Sequence, residues 1–424
     1  MLGTALVRAA GLVLGYLLTV VLSRVLGTSG FGEFSSGLAV AAILATIAGL
    51  GLPTLATRDL ARIEAGAERA EFIKSALLGV GAAALTVLAV CISWAVWTDA
   101  TSASILMIAL AVFPPTTLVR LRQGIAVPIV GATEALLPEQ IILPLVAMAG
   151  IGLLAQLRIV GPVEAGTAYA AASFIALAAG VASLGRASGL FVSTTHVATP
   201  NQRASVIARR GVPFLLAELP GTLAVNADVV LVSTILGMSA GGVYAVSTRL
   251  AGLIMIPVTI VNLTYMPRFA ESGSATSNTG LSAHACEASF FSFAGGALVA
   301  CVLFLAYPGI IATFGPGFGE VFEVLAALGA VRVLTAATAP NESVLLMTGH
   351  ESLAVLVSWI RAALLVVFCS AGAAMGSVAS AGFGTATAML LAHMLLVVIT
   401  WRYGGVLAYP RVKWSRLRSV LMRG

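Results

Sequence analysis

Charged side chains are scarce in this sequence: Asp, Glu, Lys and Arg make up only 9% of its 424 residues, whereas hydrophobic residues make up 59%. A typical soluble domain carries about 25% charged residues, so this composition excludes a water-soluble enzyme or binding module. The apolar runs are about 20 residues long, which is the length that a helix needs to cross hydrocarbon. They favour membrane-spanning helices over the shorter strands of a β-barrel.

Metal and nucleotide motifs are absent as well. The four cysteines, Cys91, Cys286, Cys301 and Cys369, are scattered through apolar segments without the spacing of metal ligands. We therefore expect them to be small core residues. The sequence contains no His-Glu-x-x-His motif and no phosphate-binding loop. It predicts no cofactor, no metal site and no ATP hydrolysis by the chain itself.

Twelve apolar segments are predicted to span the membrane, six in each half. They lie at 3–22, 34–56, 74–97, 103–121, 133–156, 166–185, 211–236, 242–265, 286–307, 319–339, 353–374 and 380–400. Because six is even, the halves share one orientation and are expected to be related by a pseudo-two-fold axis along the membrane normal.

The predicted fold is therefore an all-α integral membrane protein with two six-helix lobes. The N-lobe is expected at 1–185 and the C-lobe at 211–400. A cytoplasmic linker at 186–210 would join them, and a basic cytoplasmic tail would follow at 401–424.

A weak repeat indicates that the two halves arose by tandem duplication. Leu26, Gly27, Ser29, Gly32 and Phe34 recur 210 residues later as Leu236, Gly237, Ser239, Gly242 and Tyr244. Since half of the chain is 212 residues (424/2), the shift of 210 is close to the length of one duplicated unit. Many secondary transporters are duplicated bundles with a cleft between their halves, so the repeat favours transport.

Basic residues are distributed unevenly between the predicted loops. With the N-terminus inside, eighteen of the 23 Lys and Arg residues fall in inner loops and tails, and only Arg24 and Arg158 fall on the outer side. This positive-inside bias predicts that both termini are cytoplasmic. It also argues against a nucleic-acid partner, despite the net charge of +6.

Two charged regions are predicted to lie at the inner surface. Residues 57–75 alternate acids and bases, which is typical of a solvated helix extending the second span. Glu134 and Glu139, at the start of the fifth span, are expected to form ion pairs with Arg120 and Arg122.

Ionised groups within the spans are the candidate functional residues, because each costs about 3 kcal/mol at the bilayer centre. Asp228 and Arg249 lie at similar depth on either side of the turn near 236–242, so we expect them to face each other. They could form a structural ion pair, or they could act as a gate or an ion-coupling site.

Arg8 and Glu218 occupy equivalent places in the repeat, and a polar stripe follows each of them. The stripes contain Tyr16, Thr19 and Ser23 on the first span and Thr222 and Asn226 on the seventh. Matching stripes predict a hydrated cavity between these spans. The alternative is that Arg8 and Glu218 extend to the inner surface.

Three further ionisable residues lie in the second half. Arg332 and Arg361 could together bind an anion such as pyrophosphate, since guanidinium groups match phosphate oxygens; neutralisation of one of them by Glu342 is the favoured alternative. His393 stands alone in the last span and is expected to be a hydrogen-bonded packing residue.

Two segments carry a family resemblance. Residues 23–62 (SRVLGTSGFGEFSSGLAVAAILATIAGLGLPTLATRDLAR) and 226–271, with their Leu-Gly turns and closing arginines, resemble bacterial polysaccharide flippases. These Wzx-type O-antigen and oligosaccharide flippases belong to the multidrug/oligosaccharidyl-lipid/polysaccharide exporter (MOP) superfamily. The resemblance implies alternating access, a cavity lined by spans one, two, seven and eight, and cavity roles for Arg24, Arg58, Asp228 and Arg249.

The function predicted from the sequence is the transfer of a polyprenyl-pyrophosphate-linked oligosaccharide across a bacterial cytoplasmic membrane, without enzymatic chemistry. Arg8, Arg24, Arg58, Arg249 and Asn226 would line the cavity, and Asp228 or Glu218 would bind a coupling ion. Polymerase or glycosyltransferase machinery and membrane lipids are the expected partners. The alternatives are a cation-coupled drug exporter, a polysaccharide polymerase or ligase, and a scaffold that transports nothing.

Overall fold

The structure, a computed structural model, describes residues 2–63, 66–97, 103–188, 204–273 and 279–411. Within these ranges all regular secondary structure is helical. In the first half the helices are α1 (Leu2–Gly49), α2 (Leu52–Leu60), α3 (Ala67–Trp97), α4 (Ala103–Val130), α5 (Ala132–Leu137), α6 (Leu143–Gln156) and α7 (Pro162–Ser188). A π-helical turn, Pro138–Ile142, joins α5 to α6.

The second half repeats this series of long apolar helices. It contains α8 (Ala204–Leu236), α9 (Met238–Gly252), α10 (Ile256–Gly273), α11 (Thr279–Leu305), α12 (Tyr307–Phe314), α13 (Val321–Thr338), α14 (Pro340–Met347), α15 (Glu351–Ala374) and α16 (Val378–Gly404). A short 3-10 turn, Leu253–Met255, connects α9 to α10.

Every predicted span corresponds to a helix in the described part of the chain. Eleven helical stretches there are long and apolar enough to cross a membrane, and the first of them, Leu6–Gly49, includes most of the predicted spans 3–22 and 34–56. These two spans meet at Gly27, where the backbone leaves the helical conformation. The prediction of an all-α membrane protein with twelve spans is therefore confirmed.

The repeated Leu-Gly dipeptide forms the same turn in both copies. Gly27 has φ 67° and ψ −175°, and Gly237 has φ 95° and ψ 165°. This region of backbone space is almost exclusive to glycine, because a Cβ atom would clash with the backbone. The sequence repeat thus encodes a repeated backbone feature.

The aromatic residue seven positions after each turn glycine is fully buried. Phe34 packs edge-on against Tyr169 of α7, with ring centroids 6.1 Å apart. Tyr244 donates a hydrogen bond of 2.8 Å to the hydroxyl of Thr385 in α16. In each half, this aromatic side chain therefore contacts the last long helix of its own half.

The described chain divides into two compact units, Met1–Ser233 and Thr234–Gly424. In the first unit α4 is the central helix and packs against α1, α2 and α7. Its core includes two apolar clusters, one around Leu52, Leu55 and Leu121 and one around Ile108 and Phe113. Most of α8 belongs to this unit.

In the second unit α16 packs against α15 and α13, and α13 also packs against α9. A separate cluster at one end joins α10, α11 and α14 through residues such as Tyr265, Phe269 and Val344. The lobe, linker and tail boundaries proposed from the sequence stay predictions. Linker residues 189–203 and tail residues 412–424 lie outside the described residues.

The prediction that the cysteines are core residues is correct for two of them. Cys286 and Cys369 are buried, but Cys301 is exposed on the surface of α11 and Cys91 is only half-buried. In a membrane protein the lipid-facing surface is as apolar as the core, so an apolar segment alone does not indicate which face a cysteine occupies.

The duplicated turn predicts matched effects of substitution in the two copies. We expect Gly27→Ala and Gly237→Ala each to lower the free energy of unfolding by about 1–3 kcal/mol, because alanine is strained at positive φ. The measurement is the thermal unfolding midpoint of the purified protein in detergent. Gly15→Ala is the matched control, since a Cβ atom there meets no atom within 4 Å and φ is helical. Unchanged midpoints for both turn variants would contradict the assignment.

Candidate functional site

A series of polar contacts follows α8 within the first unit. We call it the polar seam. It comprises Ser36 and Thr46 of α1, Thr54, Arg58 and Asp59 of α2, Arg120 of α4, and Arg210, Glu218, Thr222 and Ser233 of α8. From Arg210 to Ser233 it extends about 35 Å along the helix axis, which is close to the thickness of a bilayer's hydrocarbon core.

The spacing of the residues explains why α8 presents this face. Arg210, Phe214, Glu218, Thr222 and Asn226 recur every fourth residue, so their side chains follow one slowly winding stripe on the helix. On α1 and α2, which face α8 across the seam, Thr46, Thr54 and Arg58 are likewise separated by multiples of four residues.

At one end of the seam, the carboxylate of Asp59 lies between two arginines. Its Oδ1 atom accepts a hydrogen bond of 2.9 Å from Arg58 Nε, and its Oδ2 atom accepts one of 2.5 Å from Arg210 Nη2. Asp59 is buried, whereas both arginine side chains are nearly half exposed. The Arg58 guanidinium also lies 4.9 Å from the centre of the Phe214 ring, within range of a cation–π interaction.

The expectation that residues 57–75 form a solvated helix is therefore wrong at its start. Asp59 and its neighbour Leu60 are buried, and α2 ends at Leu60. The alternating charges of this segment do not indicate the contact, because Arg210, the partner of Asp59 from α8, is distant in the sequence.

One step further along the seam, the Thr54 hydroxyl donates a hydrogen bond to the carboxylate of Glu218. The partner of Glu218 thus comes from the second span rather than from the first. Arg8 is half-buried in α1 and, in the described structure, forms no ion pair with Glu218. Their shared place in the repeat does not bring the two charges into contact.

The middle of the seam joins three helices. Arg120 Nη1 donates a hydrogen bond of 2.6 Å to the hydroxyl of Thr46, and this hydroxyl shares a hydrogen bond of 3.1 Å with that of Thr222. At the other end, the buried Ser36 hydroxyl donates to the Ser233 hydroxyl at 2.6 Å.

The backbones themselves touch where Gly51 crosses Gly211. A Cβ atom built on Gly51 would lie 2.4 Å from the carbonyl oxygen of Gly211, and one built on Gly211 would lie 2.2 Å from the carbonyl oxygen of Leu50. Two glycines at the crossing therefore allow the close approach on which the neighbouring hydrogen bonds depend.

The predicted ion pairs of Glu134 and Glu139 with Arg120 and Arg122 are not formed among the described residues. Arg120 turns to Thr46 in the seam, and Arg122 is buried and donates to the Ala135 carbonyl oxygen at 3.1 Å. The two arginines stand two residues apart, so they leave α4 about 200° apart.

The other candidates on α8 lie beyond the centre of the seam. Asn226 is half-buried and donates to the Thr222 carbonyl oxygen at 2.8 Å. Asp228 is buried, and its Oδ1 atom accepts the Val229 amide at 2.9 Å. Arg249 belongs to the second unit, and its pairing with Asp228 stays a prediction.

Arg24, near the end of the first span, is exposed, and Arg249 is half-buried in α9. Their roles in substrate binding stay predictions, as does the role of Asp228 or Glu218 in ion coupling.

In the second unit, Glu342 Oε2 lies 3.7 Å from Arg361 Nη1 and forms the ion pair that was the favoured alternative there. Arg332 is half-buried in α13, and the proposed anion site at Arg332 and Arg361 stays a prediction. His393 is buried, and its Nδ1 atom lies 2.9 Å from the Met389 carbonyl oxygen, as expected for a hydrogen-bonded packing residue.

The polar seam contains three guanidinium groups but only two carboxylates. It is therefore a positively charged strip in an apolar protein, in which hydrogen bonds join α8 to α1, α2 and α4. Such a strip can bind an anion through its arginines. Beside it, Ile207 and Phe214 of α8 pack against the apolar cluster around Leu52 and Leu55.

Comparisons with known proteins agree with this architecture. The family described as polysaccharide biosynthesis protein matches residues 2–272, which include the whole seam. No curated protein matches the chain.

Two solved structures illustrate the fold. The inward-facing conformation of a multidrug resistance MATE family transporter of the MOP superfamily superposes with a TM-score of 0.70 at 18% identity, covering 99% of both chains. A MOP superfamily transporter from Pyrococcus furiosus, described as having a binding pocket of reverse polarity, gives a TM-score of 0.61 at 16% identity. The match covers 100% of this chain and 96% of that one.

At these identities the structural similarity shows the fold alone. The family match does more, because it covers well over half of the chain and confirms the resemblance seen in residues 23–62. This multi-pass membrane protein belongs to the polysaccharide biosynthesis protein family.

Proposed function

We propose that the protein transfers a lipid-linked oligosaccharide from the inner to the outer leaflet of a bacterial cytoplasmic membrane. The cargo would be a sugar joined through pyrophosphate to a polyprenyl chain, used for a surface polysaccharide such as O-antigen. The observation that carries the proposal is the polar seam, which offers three guanidinium groups, two at its Asp59 end and one near its middle, against two carboxylates. Family membership supports the glycan, and the fold supports transport.

The seam suggests how the substrate would be recognised. Arg58 and Arg210 share a single carboxylate, Asp59, and both remain half exposed. A pyrophosphate carries several oxygens that accept paired N–H donors, so it can compete with Asp59 for the two guanidinium groups. The sugar and pyrophosphate would then pass along the hydroxyls of Thr54, Thr46 and Thr222 while the polyprenyl tail stays in lipid.

Opening of the seam would provide access. The polar contacts between α1–α2 and α8 are short hydrogen bonds between side chains, and such contacts exchange with water or substrate at small net cost. Opening would also have to separate Ile207 and Phe214 of α8 from the apolar cluster around Leu52. Binding of an anion to Arg58 and Arg210 would remove the strongest of these links. Glu218, whose carboxylate accepts a hydrogen bond from the Thr54 hydroxyl, would be a binding site for a coupling ion.

The positive-inside pattern supports cytoplasmic termini, and with this orientation the Asp59 end of the seam would lie on the cytoplasmic side, where lipid-linked precursors are assembled. The enzymes that build and polymerise the glycan are then the expected partners. A cation-coupled drug exporter would share the fold, but an excess of arginines disfavours cationic drugs.

The first prediction concerns substrate recognition. In proteoliposomes with a fluorescent polyprenyl-pyrophosphate-linked oligosaccharide, we expect Arg58→Gln and Arg210→Gln to slow exchange between leaflets about tenfold, since each loses a charge-assisted hydrogen bond. Exchange is measured by chemical quenching of the outer leaflet. Arg62→Gln is the matched control, because Arg62 is an exposed arginine just beyond α2.

Equal exchange by all three variants would contradict a role for the seam arginines. If the wild-type protein moves no labelled glycolipid at all but exports a cationic dye, the drug-exporter alternative would replace the proposal. Lengthening of the glycan during the assay would indicate a polymerase.

The second prediction concerns opening of the seam. In a variant lacking the native cysteines, Ser36→Cys with Ser233→Cys places two thiols where hydroxyl oxygens are 2.6 Å apart, and we expect a disulfide to form on oxidation. If α8 must separate from α1 during transport, the oxidised protein will be inactive and reductant will restore activity. The single variants provide the control for the substitutions themselves. Full activity with the disulfide formed would show that this end of the seam stays closed.

The third prediction concerns the ion-pair cluster. Asp59→Asn removes the only carboxylate shared by Arg58 and Arg210, so we expect the free energy of unfolding to fall by about 1.5–3 kcal/mol, the range for hydrogen bonds to charged groups. The thermal midpoint in detergent measures this loss. The exchanged pair Asp59→Arg with Arg210→Asp should recover part of it. Recovery by the exchange but not by Arg210→Asp alone would locate the effect in the pair.

A further inference from the structure

The guanidinium of Arg122 is buried without enough hydrogen-bond partners. Only 5% of the residue is exposed, and Nη2 donates to the Ala135 carbonyl oxygen at 3.1 Å. Nε and Nη1 are also buried, and among the described residues they have no acceptor. An unsatisfied cation of this kind is costly in an apolar environment, so the observation requires a physical explanation.

The structure provides space for this guanidinium at Gly180 of α7. A Cβ atom built on Gly180 would lie 2.6 Å from both Cζ and Nη1 of Arg122. The arginine therefore lies flat against bare backbone, and any larger residue at 180 would displace it.

Arg122 forms no ion pair with a neighbouring carboxylate among the described residues. Glu139, on the π-helical turn, is close enough for the charges of Arg120 and Arg122 to act on it. However, in the described structure it forms no ion pair with either arginine, and its Oε2 atom is itself buried without a partner. Nε and Nη1 thus have no acceptor among the described residues, and both atoms are buried, so an anion that binds them requires the guanidinium to shift towards it.

A cavity of about 500 Å³ lies beside it, between α3 and α7 with α4 as its floor. Its lining is apolar, with residues such as Ile73, Leu118 and Leu177, except for two cations, Arg122 and Lys74. Leu77 and Leu78, also in the lining, are exposed on the surface of the unit, so the cavity communicates with the surrounding lipid. This volume is typical of pockets that bind small molecules.

Lys74 adds an available charge at the same pocket. Its side chain is largely exposed, and its Nζ atom lies 4.0 Å from the Glu71 carboxylate, which makes a weak surface pair. Apolar walls combined with two cations match an amphipathic anion: a hydrocarbon chain for the cavity and a phosphate for the donors.

We propose that this pocket binds one anionic phospholipid of the inner leaflet, with its phosphate held by Arg122 and Lys74 and an acyl chain between α3 and α7. The site is distinct from the polar seam, because Arg120 and Arg122 leave opposite faces of α4. It does not depend on the identity of the transported substrate.

The test is lipid binding by the full-length protein in detergent, measured by native mass spectrometry and by the thermal midpoint. Phosphatidylglycerol, phosphatidylcholine and inorganic phosphate are titrated separately. We expect phosphatidylglycerol to bind and raise the midpoint, phosphatidylcholine to bind about tenfold more weakly, and inorganic phosphate alone to have no effect.

Variants locate the site. Arg122→Gln should weaken phosphatidylglycerol binding about tenfold, and Leu177→Trp should block it by filling the cavity while keeping the arginine. Arg62→Gln, which changes the same charge outside the pocket, should bind as the wild type does.

Three outcomes would overturn the proposal: equal binding of both phospholipids, unchanged binding by Leu177→Trp, or stabilisation by inorganic phosphate alone. If Arg122→Gln does not fold, the Leu177→Trp result still decides. None of these readouts requires transport, so failure here and failure of the flippase proposal are distinguishable.

Discussion

The first unit depends on one interaction, the binding of the buried Asp59 carboxylate by arginines, because a buried charge without a partner is costly. Asp59 binds two arginines, one from its own helix and one from α8. Because α2 and α8 are far apart in sequence, this carboxylate fixes where they meet. The contact of α8 with α1 and α2 continues at the crossing of Gly51 and Gly211 and at the hydroxyl hydrogen bonds further along α8. In lipid, where apolar burial between helices contributes little, such polar bonds carry much of the specificity.

The fold was predictable from the sequence because membrane thickness sets a simple length rule. Apolar runs gave all twelve spans, and the repeat identified Gly27 and Gly237, whose positive φ angles the structure then showed. The polar seam was not predictable to the same degree. Asp59 stands in a segment of alternating charge that looks solvated, and nothing local indicates Arg210 as its partner. Arg120 and Arg122 look equivalent in the sequence, yet Arg120 lies in the seam and Arg122 lies beside a separate cavity. The sequence shows that they leave α4 in different directions, but it does not show which helices lie on each side.

The two copies of the repeat share backbone features more than polar contacts. Both have the glycine turn, and both bury the aromatic residue that follows it. Their equivalent arginines differ, since Arg58 binds Asp59 and faces Phe214, whereas Arg268 lies 5.0 Å over the ring of Tyr265. The two copies therefore share the glycine turn and the buried aromatic residue, while the charged cluster around Asp59 is described only in the first unit.

Helix α4 links the seam to the proposed lipid pocket. Arg120 holds Thr46 on one face, and Arg122 lies against Gly180 on the opposite face. A rotation of α4 that releases Thr46 must also move the guanidinium in the pocket. By thermodynamic linkage, a phospholipid that binds one orientation of α4 more tightly will favour the corresponding state of the seam, and the state of the seam will change lipid affinity by the same factor. The anionic lipid and the substrate would then act on the same helix, α4, so the lipid composition of the membrane would influence how readily the seam opens.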